Sequence, residues 1–286
     1  MRSIQALESN LSKTKQPIPV LKEAILAAYQ DHEARFRAGE DTEKLLHERS
    51  AFMDEVMRLV WDRFQWNENK PSWRKTRISL LAIGGYGRRE LHPHSDIDLL
   101  ILLERNSYNL HSSNIQSFLA LLWDIGLAVG HSVRSIDECR AQAKSDVTVL
   151  TAMMESRSIC GDDELRLRMN RKVAPKKIWP PKAFYRAKRD EQIERHQKSQ
   201  HTEYSLEPNI KTSPGGLRDI QTVMWIARRK FGSVDFADLV EQKFLTAGES
   251  ELLTEGRKFL WKIRFGLHLL AGRDDDRLLF DHQQNL

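Results

Sequence analysis

No run in this chain approaches the roughly 18 consecutive apolar residues of a membrane-spanning helix, and the N-terminal stretch MRSIQALESNLSKTKQ has no apolar core of a secretory signal. Cysteine is almost missing. Cys139 and Cys160 are the only two, too few for a disulfide scaffold and not at metal-ligand spacing, so they read as free thiols in a reducing, cytoplasmic compartment. Charge of one sign is also scarce: 45 basic residues stand against 40 acidic ones, a net +5 spread along the chain. That balance suits an anionic small substrate, while the absence of an aromatic-rich basic patch argues against a nucleic-acid partner. There is no internal repeat and no low-complexity tract. Hydrophobic residues make up 40% of the 286, enough for a real core and for one large or two modest domains.

What is present concentrates between Ile78 and Glu104, ISLLAIGGYGRRELHPHSDIDLLILLE. Two apolar runs, Ile78–Ile83 and Ile97–Leu103, read as strands. Asp96 and Asp98 stand at the mouth of the second, and residues two apart along an extended chain point to the same side. Two carboxylates so close repel. The usual compensation is a hard divalent cation, and Mg²⁺ favours one or two carboxylates together with substrate phosphate oxygens. Gly84 and Gly85 lack Cβ, so their backbone N–H groups can approach a phosphate, and Ser95 adds a hydroxyl. A lone D-x-D is usually a solvated strand end and a lone Gly-Gly a turn. The joint pattern is much rarer: apolar strand, Gly-Gly, nine residues, then Ser-Asp-x-Asp opening a second apolar strand. A Walker loop is excluded because no Lys-Ser/Thr follows the glycines. A dinucleotide fingerprint is excluded because Gly85-Tyr86-Gly87-Arg88-Arg89-Glu90 lacks its last glycine.

This stretch resembles the polymerase-β-type nucleotidyltransferases, and more closely the N-terminal domain of the bacterial protein-PII uridylyltransferases. LLWDIGLAVGHSVRS (121–135), LEPNIKTSPGGLRDIQTVMWIARR (206–229) and LAGRDDDRLLFDHQ (270–283) resemble the same family, so the likeness runs from about residue 50 onward. One departure is Arg89, where the family is expected to carry glycine. An added guanidinium there either helps hold a phosphate or stiffens the loop. The resemblance implies uridylyl transfer from UTP to a tyrosine of the PII signalling protein in nitrogen regulation, with two Mg²⁺ ions. On this reading Asp96 and Asp98 ligate the metals. Gly84, Gly85 and Ser95 hold the triphosphate, and Arg88 reaches a phosphate oxygen with its fork of donors. The superfamily adds a third carboxylate. Asp146 and Glu155 are the candidates, neither in a distinguishing motif, and each reads more simply as a capping or surface acid.

The expected fold is α+β. Residues 1–66 form an N-terminal helical segment, with residues 1–16 loosely docked, a helix from Val20 to Arg37 and a second capped near Asp41. Residues 67–174 form a small mixed-sheet nucleotidyltransferase domain, with a helix capped by Ser112 or Ser113, a short third strand at His131–Ser135 and an edge strand at Arg157–Cys160. Pro175, Pro180 and Pro181 mark the boundary to an all-α domain, 175–286, truncated at its C-terminal side. The family's longer members continue with a phosphohydrolase domain and glutamine-sensing domains. Neither uridylyl removal nor a glutamine response is therefore expected of this polypeptide. His92 and His94 read as loop residues packing near the site, and His131 as structural. Gly215-Gly216, flanked by Lys211 and Arg218, reads either as an anion-accepting helix start or as a capping turn. Arg273–Asp276 reads as a solvated turn rather than a cation site. Two rivals stand beside the uridylyltransferase: another transferase of the superfamily acting on RNA or a small molecule, and a non-catalytic nucleotide- or partner-binding module.

Overall fold

β1 (Ile78–Ala82) and β2 (Ile97–Leu103) form from the two apolar runs and pair antiparallel, with Ile78 opposite Leu103 and Ala82 opposite Leu99. β3 (Val129–Ser135) lies parallel to β2, and β4 (Arg157–Gly161) antiparallel to β1, giving a mixed sheet in the order β3-β2-β1-β4. The computed structural model describes residues 2–66, 77–104, 107–200, 206–232 and 235–286. β1 is buried throughout and β2 at every position but Asp98, which explains why both read as near-continuous apolar runs. Alternation sends Ile97, Leu99, Ile101 and Leu103 of β2 into one core with Ile78, Leu80 and Ala82 of β1. Asp98 therefore shares the opposite face with Leu100 and Leu102.

The first core is closed by α1 (Arg2–Lys13), α2 (Pro17–Arg37), α3 (Thr42–Trp61) and α5 (Tyr108–Asp124). α4 (Gly84–Gly87) is the single turn that follows β1. The expectation of a loosely docked start is corrected by α1, whose Leu7 and Leu11, four apart and so on one helix face, are buried in this core. α2 begins at Pro17 rather than Val20, since a first-turn proline forfeits no intrahelical hydrogen bond. Asp41 caps α3 by accepting from the Lys44 N–H at 2.9 Å. Met53, Val56, Met57, Val60 and Trp61 of α3 are core residues, and Trp66 stacks on Trp61 at 3.8 Å. α5 starts ahead of the expected Ser112–Ser113 cap, with Ser107 at the cap position. Third and fourth strands were expected at His131–Ser135 and Arg157–Cys160; the pairing with β2 carries the third back to Val129.

After β3 come α6 (Ile136–Ser145), α7 (Val147–Met154) and, beyond β4, α8 (Asp163–Lys172). The chain forms two compact units. The first holds the residues up to Leu91, Ser95–Ala143 and Ala152–Lys172; the second holds His92–His94, Lys144–Thr151 and Val173–Leu286. The second unit is helical: α9 (Pro181–Gln200), α10 (Leu217–Phe231), α11 (Phe236–Glu241), α12 (Ala247–Ala271) and α13 (Phe280–Gln283). Ile220, Ala227, Phe236 and Leu239 form a core in it. Thr246 and Glu249 make a reciprocal capping box at the start of α12. α9 has little apolar surface, yet Phe184 and Lys188 are wholly buried, the ammonium 4.3 Å from the Trp225 ring centre. Arg229 donates to the carbonyls of Val173 at 2.8 Å, Trp179 at 3.0 Å and Ile178. Burial pushes its pKa down to about 10.

Candidate active site

The site is built where β1 ends. Gly84 takes φ +58°, a conformation that side chains with a Cβ resist, and starts the turn α4. A Cβ at Gly84 would stand 3.1 Å from Asp98 Oδ2, so the Asp98 carboxylate lies directly against the glycine turn. The main chain fixes the same relation, since Ile83 N–H donates to the Asp98 carbonyl at 3.0 Å. Asp96 is exposed one residue before β2. Ile97 between the two acids enters the core, so extended-chain alternation sends both carboxylates to the other side. Ser95 Oγ is buried and has no hydrogen-bond partner among the described residues, an unusual state for a buried hydroxyl that an incoming polar group would relieve.

Glu155 and Arg88 meet here. Arg88 Nη1 donates to Glu155 Oε1 at 2.6 Å and Nε to Glu90 Oε2 at 2.8 Å, while Nη2 lies 3.7 Å from where a Gly85 Cβ would be. Burial alone disfavours the guanidinium charge, but Glu155 and Glu90 outweigh it and the Arg88 pKa is raised. Glu155 is thus committed to an arginine. Asp146, the other candidate third acid, accepts from Thr148 N–H at 2.6 Å at the start of α7, a capping role.

The turn is also braced by residues that local sequence does not reveal. Tyr86 donates its hydroxyl to Asp54 Oδ1 at 2.7 Å. Arg157 grips Asp54 with Nη1 at 2.5 Å and Nη2 at 3.0 Å, and Nη2 also donates to the Tyr86 carbonyl at 3.2 Å. Burial and then the Asp54 carboxylate raise the Tyr86 pKa, holding the phenol neutral. Gly87 has no room for a side chain, since its Cβ would be 2.3 Å from the Glu155 carbonyl oxygen. Arg89 takes φ +65°, and its N–H and that of Glu90 donate to the carbonyls of Tyr86 and Gly85. This is a Schellman closure, and the left-handed position is the one that favours glycine. Of these braces, only the turn glycines had a local sequence signal. The Asp54 pairing spans 103 residues to Arg157.

The remaining candidates are placed in the second unit or on the surface. His92 is buried with its ring near those of Phe265 and His268, and the Pro93 carbonyl meets His268 Nδ1. His131 is exposed, its ring edge-on to Trp123. At the Gly215-Gly216 turn, Asp219 accepts from Gly215 N–H at 2.8 Å, from Gln192 Nε2 at 2.8 Å and from Arg195, with His196 Nε2 at 3.0 Å. The negative group at this helix start is the chain's own. Lys211 faces Asp276 at 3.8 Å and Arg218 lies over Trp225. His268, Asp274 and Asp276 bring ligand atoms within 4.8 Å of one another. Arg264 already binds Asp276 at 2.6 Å and Arg273 binds Asp275 at 2.9 Å, so this turn is neutralised by protein cations.

Hard carboxylates, a hydroxyl without a partner and a backbone turn with no Cβ in the way make a donor set suited to a hard divalent cation and a polyphosphate. The profile described as a nucleotidyltransferase domain matches residues 63–151, and that described as GlnD PII-uridylyltransferase matches residues 183–286. The chain is 51% identical over 279 residues to the bifunctional uridylyltransferase/uridylyl-removing enzyme of Stutzerimonas stutzeri (strain A1501). It is 50% identical to that of Ectopseudomonas mendocina (strain ymp) and 49% to that of Azotobacter vinelandii (strain DJ / ATCC BAA-1303). Each alignment covers 98% of this chain and 30% of the relative, so the chain spans about a third of the length of the curated relatives it matches. Over nearly its whole length the chain is thus similar in sequence to the bifunctional uridylyltransferase/uridylyl-removing enzymes, and residues 63–151 carry a nucleotidyltransferase domain.

Proposed function

We propose that this chain moves UMP from UTP to a tyrosine hydroxyl of the PII signalling protein, as a cytoplasmic enzyme of nitrogen regulation. The observation that carries the reading is the Asp98 carboxylate seated against Gly84 at the start of the turn. Uridylyl transfer comes from the relatives' names, PII from the matched PII-uridylyltransferase profile and the nucleotide from the matched nucleotidyltransferase domain, while nitrogen control comes from the sequence resemblance alone. No helix among the described residues is long and apolar enough to cross a membrane.

Asp96 and Asp98 would hold divalent cations, for which Mg²⁺ is the proposed identity. When bound, such ions neutralise charge on the attacking and leaving oxygens of an in-line displacement. Gly84 and Gly85 offer backbone N–H groups to the triphosphate. Ser95 Oγ gains a phosphate partner there, and Arg88 contributes Nη2 beside Gly85 while its other nitrogens stay on Glu90 and Glu155. The acceptor oxygen then forms a bond to the α-phosphorus as the bond to pyrophosphate breaks, and the hydroxyl proton leaves to solvent.

Incubation with labelled UTP, Mg²⁺ and PII tests this. Label should pass to PII and vanish with Asp98→Asn, whose amide supplies one fewer anionic ligand. Label on RNA alone would instead identify a nucleic-acid transferase, and nucleotide binding without turnover a non-catalytic module.

A further inference from the structure

The Asp98 carboxylate has a second glycine wall. β2 and β3 run parallel with Asp98 opposite Gly130, and a Cβ built at Gly130 would stand 2.6 Å from Asp98 Oδ1. That is well inside van der Waals contact. On the other side the Gly84 position stands 3.1 Å from Oδ2. A Cβ at Gly130 would therefore force the carboxylate to shift, and one at Gly84 would press tightly on its other oxygen. Gly84 has an independent reason to be glycine in its φ of +58°. Gly130 has none of that kind, since its φ is not positive. A glycine inside a strand weakens it and is explained by close approach of another group. The approaching group here is the carboxylate of Asp98.

We propose that Gly130 is a positioning residue for nucleotidyl transfer: the missing Cβ lets the Asp98 side chain lie back along the sheet, so that its oxygens stay at the glycine turn. An alanine would turn the carboxylate into another rotamer or push β3 away, and either change spoils a ligand that must be held to within about half an ångström. This rests on the reading of Asp98 as a ligand in a transferase, and the experiment separates the two.

Two measurements test it on the full chain. First, thermal unfolding is compared for the wild type, Gly130→Ala, Asp98→Ala and the double variant. The drop in Tm caused by Gly130→Ala should vanish when Asp98→Ala removes the carboxylate, and a single variant too unstable to fold should be rescued by the second change. An equal drop in both backgrounds overturns the proposal. Second, Mn²⁺ binding in the presence of a non-hydrolysable UTP analogue is followed by electron paramagnetic resonance. Gly130→Ala should weaken it about tenfold, the scale of a lost supporting contact at a metal site, while Gly248→Ala, where a Cβ meets nothing within 4 Å, leaves it unchanged. A wild type that binds no Mn²⁺ with nucleotide overturns the transferase reading and the proposal with it. Wild-type binding that Gly130→Ala retains undiminished overturns the proposal alone.

Discussion

Arg88 Nη1 donates to Glu155 Oε1 at 2.6 Å, tying the end of the glycine turn to the residue two positions before β4. The Glu155 side chain is only 4% exposed, so Arg88→Met removes the guanidinium from a buried carboxylate. The expected cost is about 3–5 kcal/mol, most of it recovered in Arg88→Met/Glu155→Leu, where neither charge remains. Urea unfolding of the three proteins checks this. Nucleotide affinity should not recover in parallel. With Nη2 beside Gly85, both variants should bind UTP on the order of tenfold more weakly, a loss of roughly 1.4 kcal/mol. Recovery of affinity together with stability would confine Arg88 to bracing the turn.

Arg89 occupies a left-handed position that any side chain with a Cβ resists. Arg89→Gly should stabilise the protein by about 1 kcal/mol, read as a rise in Tm at unchanged turnover. A fall in nucleotide affinity in that variant would instead show that the guanidinium reaches a phosphate.

These two arginines show how much of the site could be read from sequence. The glycine turn and the two strands are local patterns, legible as two apolar runs on either side of a double glycine and an Asp-x-Asp. Gly130 and the Asp54–Tyr86–Arg157 brace were out of reach, because each depends on a register or a pairing that no local window contains. The parallel pairing of β2 with β3 is what sets Gly130 beside Asp98. Glu155 was visible only as an acid near a strand, and its partner depends on how the turn is folded. α1 was underestimated because the stretch is mostly polar, and only the core that Leu7 and Leu11 enter gives them weight.

Asp276 makes the second unit acid-sensitive. Burial alone would raise its pKa, but the hydrogen bond from His268 and the charges of Arg264 and Lys211 more than offset this and lower it. A depressed carboxylate pKa contributes stability that is fully present above the unfolded value of about 4 and is lost as pH falls toward the folded value. Asp276→Asn should cost on the order of 3 kcal/mol at neutral pH. The gap between variant and wild type should close as the pH is taken from 5 toward 2, measured by tryptophan fluorescence in urea. A gap that stays constant with pH would count against the ion pair.

Both thiols should be silent in the folded protein. Burial pushes Cys139 and Cys160 up to about 12, so at pH 8 roughly one molecule in ten thousand carries the reactive thiolate. A chromogenic disulfide reagent should label neither cysteine within minutes in native buffer and both at once in guanidinium. Fast native labelling of either would show that its surroundings open readily.

The stretch between α8 and α9, with its prolines and paired lysines, has the composition of a tether. Arg229 gathers the carbonyls of Val173, Ile178 and Trp179 around one planar group, and a lysine, with a single nitrogen, has no geometry to replace it. The segment is therefore a strut bolted to α10. Trypsin should find Lys176 and Lys177 in plain view and still cut there slowly, because the backbone at the scissile bonds has no slack to enter a protease cleft.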